Sequence, residues 1–355
     1  MGYQGQPFRP EADERAMWNQ AETEEEKLVK AGKIYEDPLL EEYLSGLAAR
    51  LVPAEIQTAG APPIRVAVFR DPALNAFAMP NGKVYLHTGL LARVENEAQL
   101  AAILGHELTH VTSRHALKFN RDARNKGLPL AFLAAVNGYG RDLEREADLE
   151  GMERMVRAGY DPGEAPRVFE LLKRDHGDSG RLETFLFGNH PQLEERIATT
   201  RELLRTRYAG LDASRLTHDT EEFPLRTRVV VRENAALDIR AGRFGLARAQ
   251  LDRAVALAPR DPVTHLYYGD LYRLQAQRAR RPEERPPLVG QAREAYQRAA
   301  GLDPAYPDPF RQLGYLYYQT REIARAREAF QRYLALRPDA PDARRVKEYL
   351  AELDR

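Results

Sequence analysis

His106-Glu107-Leu108-Thr109-His110 is the stretch that most restricts what this chain can be. Side chains four apart on a helix share one face, so both imidazoles can reach a single metal ion. Glu107, one step round, can stand beside a water held there. The flanking residues supply the helix. Asn96-Glu97-Ala98-Gln99 reads as a capping box, and Leu100, Ile103, Leu104, Leu108 and Val111 recur at helical spacing. With only 8 histidines in the chain, a metal motif is preferred to two surface histidines placed by chance.

Catalytic zinc takes three protein ligands and keeps one position open, so a third ligand is needed. A third histidine at H-E-x-x-H-x-x-G-x-x-H spacing is excluded, because Ser113 and Ala116 occupy its glycine and histidine positions. His115 lies five residues past His110, about 140° away on an ideal helix, and reads as structural. Glu144 and Asp148, in Glu144-Arg145-Glu146-Ala147-Asp148, stand four apart near the start of another helical stretch. Glu144 can ligate, and Asp148 can accept the spare ring N–H of a ligand histidine. The same run also fits a solvated acidic face.

Residues 64–70 alternate as a strand, and residues 75–87 hold two further strand-like pieces around Pro80-Asn81-Gly82. The edge at Asn75, Ala76, Phe77 and Ala78 suits main-chain pairing with an extended peptide; the alternative is a plain three-strand sheet covering the motif helix. Residues 11–52 read as helices, with Leu39, Leu40, Tyr43, Leu44 and Leu47 as an apolar face.

H-E-x-x-H followed by E-x-x-A-D resembles the gluzincin peptidases related to the CAAX prenyl protease and the HtpX heat-shock protease. The likeness runs through residues 30–206. Asn75-Ala76-Phe77-Ala78-Met79-Pro80-Asn81-Gly82 is similar to that family's N-A-F-A-x-P-x-G segment, and His110-Val111 through Arg114-His115 to its H-V-x-x-R-H extension. Ala158-Gly159-Tyr160-Asp161-Pro162 and Asn189-His190-Pro191 with Arg196 resemble two further family motifs. Departures are Gly140 before Arg141 and Asn189 before His-Pro, and both leave the ligand positions intact. The resemblance implies one zinc ion per chain held by His106, His110 and Glu144, with Glu107 as general base and Asp148 behind a ligand histidine. It further implies His190 as a removable fourth, latching ligand, the alternatives being a transition-state donor or a loop-ordering hydrogen bond, and Arg196 as support for the site. His87, His176, His218 and His265 show no ligand spacing.

The second half repeats itself. Pro259, Pro304 and Pro338 each close a helix of similar pattern, and the later interval is the 34-residue tetratricopeptide period. Gly314, Tyr317, Ala326 and Phe330 occupy signature positions in the last unit; Gly269, Tyr272, Ala292 and Tyr296 do so in the one before. The first unit has Ala235, Ala247, Leu251 and Ala254. The longer interval before Pro304 implies an insertion within residues 278–287. Asp342–Leu353 reads as a capping helix, and Tyr267, Tyr268, Tyr315 and Tyr318 exceed what a core needs, which suits some of them to a concave binding surface or to packing against the neighbouring domain. The expected fold is α+β and predominantly helical. Residues 1–206 form a zincin-like protease domain with a small sheet, 207–228 a junction, and 229–355 an all-α repeat solenoid.

Lys+Arg and Asp+Glu both total 53, which gives no electrostatic case for nucleic acid or an anionic membrane. The absence of cysteine excludes disulfides and thiolate metal sites. No stretch approaches the roughly 18 apolar residues of a membrane span. The longest apolar run, Leu128–Val136, reads as a buried segment, a lid or a loop in peripheral contact with a membrane. Bacterial envelope members of the family carry C-terminal helical repeats. That likeness implies a zinc metalloendopeptidase in periplasmic protein quality control, acting on misfolded envelope or outer-membrane proteins and meeting their assembly machinery through the repeats. Met1–Pro10 lacks a basic start and an apolar signal core, so a periplasmic site implies a signal or lipid anchor outside this sequence; the cytoplasm is the other compartment the composition allows. A competing class is a chaperone-like adaptor whose zinc site is latched.

Overall fold

In a computed structural model describing residues 10–52, 61–125, 139–179 and 193–353, the chain divides into two compact units between Val230 and Val231. Leu128–Val136 and Asn189, His190 and Pro191 lie outside the described residues.

The first unit starts with α1 (Ala12–Lys30), β1 (Ile34–Tyr35), α2 (Pro38–Leu51), β2 (Arg65–Phe69), β3 (Ala76–Ala78) and β4 (Lys83–His87). The sheet order is β1-β2-β4-β3, with β2 and β4 parallel and both outer pairings antiparallel. It has one strand more than the sequence pattern suggests, since Ile34 and Tyr35 pair with Phe69 and Val68. Two residues are too few to show a period. Alternation sends Val66, Val68, Ala76, Ala78, Val84 and Leu86 to one face and Ala67, Phe77 and Tyr85 to the other. The second face packs with Ala21 and Leu28 of α1. The first packs into the main core with Leu40, Tyr43, Leu44 and Leu47 of α2, while Leu39 is 60% exposed and off that face.

The core continues through α3 (Thr88–Arg93) and α4 (Glu97–Thr112), then, past α5 (His115–Asn125), through α6 (Arg141–Arg157), α7 (Glu164–Ser179) and α8 (Leu193–Thr206). α4 is its axis, and every residue of α4 is buried. The Asn96 side chain caps it by accepting from Gln99 N at 2.8 Å. The return bond lands one residue early: Gln99 Oε1 accepts from Glu95 N at 2.9 Å, and its amide donates to Glu164 at 2.9 Å. Glu97, in the first turn, accepts from the hydroxyls of Tyr43 and Thr220 at 2.6 Å each and from Arg50 at 3.1 Å. A negative charge there also suits the helix dipole. Asp219 accepts from Glu97 N at 3.0 Å, and Thr217 bridges to Tyr160. Part of residues 207–228 thus straps the start of α4.

The division between units falls inside α9 (Glu222–Ala241). The second unit continues as α10 (Phe244–Leu257), α11 (Pro262–Arg278), α12 (Arg285–Leu302), α13 (Pro307–Gln319), α14 (Ile323–Leu336) and α15 (Ala343–Leu353). Residues 279–284, with a 3-10 turn at Pro282–Glu284, separate α11 from α12. A Cβ on Gly269 would lie 2.2 Å from the Tyr296 ring, and one on Gly314 2.4 Å from the Phe330 ring. Both aromatics are fully buried, so the two repeats close by the same fit of ring onto bare backbone. The first pair adds buried polar groups to the apolar contact of Ala235, Ile239, Ala247 and Leu251: Asn234 donates to Gln250 at 3.0 Å, and Gln250 to Asp238 at 2.6 Å. Among the described residues no helix is long and apolar enough to cross a membrane.

Candidate metal centre

α4 and α6 meet backbone to backbone. A Cβ on Gly105 would sit 2.9 Å from Gly151 O, and one on Gly151 2.9 Å from His106 N. Asp148 and Glu144 lie three and seven residues before Gly151, on the face of α6 turned to α4. The contact therefore sets these two carboxylates against His106. His106 Nε2 and His110 Nε2 are 3.0 Å apart, and Glu144 oxygens lie 3.4 Å from the first and 3.7 Å from the second. All three side chains are buried. A tetrahedral ion with bonds of about 2.0–2.1 Å spaces its ligands by about 3.3–3.4 Å. Two neutral imidazoles and one carboxylate at these separations fit zinc.

Asp148 Oδ1 lies 2.9 Å from His106 Nδ1. Arg196 donates to the same carboxylate through Nε at 3.0 Å and Nη2 at 2.6 Å, and its guanidinium stacks on Phe169 at 4.1 Å. Arg196 Nη2 is also 2.9 Å from His106 Nδ1. With Nε2 turned to a metal, the ring proton sits on Nδ1, and Asp148 accepts from both neighbours. Burial and Arg196 oppose protonation of His106, but hydrogen bonds to Asp148 and Glu144 outweigh them and push its pKa up to about 9 in the metal-free protein. Asp148 is held below the usual carboxylate range: burial opposes its charge, and Arg196 and His106 overcome that.

His110 is held differently. Its Nδ1 lies 2.9 Å from His115 Nδ1, and Tyr139 stacks on its ring at 4.3 Å. Glu107 is buried on α4 between these histidines. β3 pairs only with β4 among the described residues. Asn75 O accepts from His87 N at 2.9 Å and Met79 N donates to Lys83 O at 2.7 Å, so Ala76 and Ala78 turn their N–H and C=O groups to the free edge. Asn75 Oδ1 is buried and has no hydrogen-bond partner among the described residues. A pocket beside His110 is lined by Ala78, Met79, Pro80, Val111, Leu117 and Tyr139. The expected His106, His110, Glu144, Asp148 and Arg196 are thus brought together, and His190 lies outside the described residues. Sequence reading missed Gly105, Gly151 and Tyr139, and it set His115, which it read as structural, away from His110 rather than against it. None of these leaves a periodic signal in the sequence.

Residues 38–121 and 118–204 match Peptidase family M48, and residues 287–351 match a tetratricopeptide repeat family. The chain carries an M48 peptidase domain. Beta-barrel assembly-enhancing protease of Escherichia coli O157:H7 is 32% identical over 194 residues, covering 46% of this chain and 39% of that protein. A Vibrio cholerae counterpart is 30% identical over 255 residues, covering 64% of this chain and 51% of its own length. Mitochondrial metalloendopeptidase OMA1 of Schizosaccharomyces pombe is 30% identical over 171 residues, 43% of this chain and 50% of its own. The chain thus spans about half or less of each relative. The M48 match covers both helices that carry the buried histidines and carboxylates.

Two outcomes follow for the M48 domain. Metal must displace the proton that Asp148 and Glu144 hold on His106. Apparent zinc affinity, measured by chelator competition, should rise by up to about tenfold per pH unit between pH 6.5 and 9. In metal-free protein the same proton stabilises the fold fully below pH 6.5, and that contribution is lost as pH climbs through 9. A flat affinity profile would contradict the raised pKa. Gly151→Ala should cost about 1–3 kcal/mol in denaturant unfolding and weaken zinc binding, because α6 must move off α4.

Proposed function

We propose that the chain is a zinc-dependent endopeptidase that cleaves protein substrates, with its repeats recruiting the substrate or a partner. The observation that carries this reading is the convergence of His106, His110 and Glu144 beside Glu107 and the open edge of β3. When bound, zinc supplies a Lewis acid that polarises the scissile carbonyl and acidifies water. Glu107, next in the chain to His106, takes the proton of the attacking water and returns it to the departing amine. Ala76 and Ala78 pair with an extended peptide through their outward main-chain groups, and the unpartnered Asn75 Oδ1 accepts a substrate N–H. Arg196 and Asp148 keep the His106 ring in register throughout.

The compartment we propose is the bacterial envelope, with outer-membrane proteins as the substrate class. Support comes from the relatives named for β-barrel assembly and from the pairing of an M48 domain with tetratricopeptide repeats. Small-residue helix pairs such as Gly314 against Phe330 build the stacked surface on which repeats hold protein partners.

Glu107→Gln tests the reaction. It keeps the ligands and should leave zinc content unchanged while cutting hydrolysis of an unfolded test protein by about 10²–10⁴-fold. Hydrolysis that persists at the wild-type rate would show that the chain is not a peptidase of this type.

A further inference from the structure

The H-E-x-x-H helix does not continue through His115. α4 ends at Thr112, Arg114 takes a left-handed backbone conformation at φ +54°, and α5 begins at His115. Arg114 is fixed there by Glu14 of α1, its Nε donating to Glu14 Oε1 at 2.7 Å. On an unbroken helix residue 115 would point about 140° away from residue 110. The turn instead folds His115 back, fully buried, so that its Nδ1 lies 2.9 Å from His110 Nδ1.

We propose that His115 is a positioning residue for the metal site, accepting the Nδ1–H of His110 and so aiming the His110 Nε2 lone pair at the ion. The inference rests on the metal reading above. A nitrogen that ligates must offer its lone pair, so the proton of His110 is on Nδ1. His115 Nδ1 can then only accept. Its own proton is left on Nε2, which lies 3.4 Å from Glu146 Oε1 without hydrogen-bond geometry between them. Glu146 is held in turn by Lys118 Nζ at 3.2 and 3.3 Å. Tyr139, stacked on His110 and 5.8 Å edge-on to His115, keeps both rings from rotating. The acids of Glu144-Arg145-Glu146-Ala147-Asp148 acquire distinct tasks. Glu144 faces the ion, Asp148 orients His106 directly, and Glu146 sets a negative charge beside the far side of His115.

The test is zinc affinity of the full chain by competition with a chromophoric chelator, with thermal unfolding of the metal-free proteins in parallel. His115→Asn keeps an acceptor oxygen near the Nδ1 position, whereas His115→Leu has similar size and no acceptor. His115→Leu should weaken zinc about 10–100-fold, and His115→Asn should stay within about threefold of wild type. Equal affinities in all three overturn the proposal, and so does equal weakening of both variants, which a packing role alone would give. Should His115→Leu fail to fold, His115→Gln replaces it, since its longer side chain cannot present oxygen at that position. Tight Asn and weak Gln variants support the proposal; equal ones overturn it. Wild-type protein that binds no zinc overturns the metal reading itself, a result distinct from normal wild-type binding with indifferent variants.

Discussion

The contact of Gly105 with Gly151 is the constraint on which the site depends. Two α-helices ordinarily pack with side chains between them, 8–10 Å from axis to axis. Here neither helix has a side chain at the crossing, and the backbones touch. Only at that distance does a short Asp148 reach His106 Nδ1 while Glu144, one turn away, reaches the Nε2 atoms of both histidines. The same two helices fill the core with Leu100, Leu104, Leu108, Met152 and Met155. Apolar burial therefore holds the polar cluster in place.

That cluster is costly unless it is paired. Buried charges lose several kcal/mol of hydration each and recover it only through close partners. Arg196 on Asp148 and Asp148 on His106 supply those partners in sequence. The inner faces of His106, His110 and Glu144 are different. They gather two nitrogens and a carboxylate around one point, an arrangement that a divalent cation satisfies more fully than a proton can. At the other end of α4, Glu97 is tied by Tyr43, Arg50 and Thr220, so the helix that carries the histidines is anchored at its start.

What could be read from the sequence was whatever has a period. His106 with His110, Glu144 with Asp148, and the apolar positions of α4 all follow from side chains recurring along a regular helix. The repeats follow from the 34-residue interval between Pro304 and Pro338. What escaped lies where the period breaks. Arg114 adopts a left-handed turn that an uncapped helical pattern does not announce, and this turn sets the structural His115 against His110 instead of about 140° away. β1 is two residues long, and Leu39 falls just off the stripe made by Leu40, Tyr43, Leu44 and Leu47. Gly105 and Gly151 act only as a pair, 46 residues apart, so neither signals its partner. The return bond of the α4 cap moved from Asn96 to Glu95 because Glu164, from another helix, takes the Gln99 amide.

The most direct test of the central claim is a crystal structure of the zinc-loaded protein with anomalous data at the zinc edge. The account predicts one ion per chain, bonded to His106 Nε2, His110 Nε2 and a Glu144 oxygen, with Asp148 on His106 Nδ1. A Glu144 carboxyl turned away from the anomalous peak, or a peak elsewhere in the chain, would contradict it.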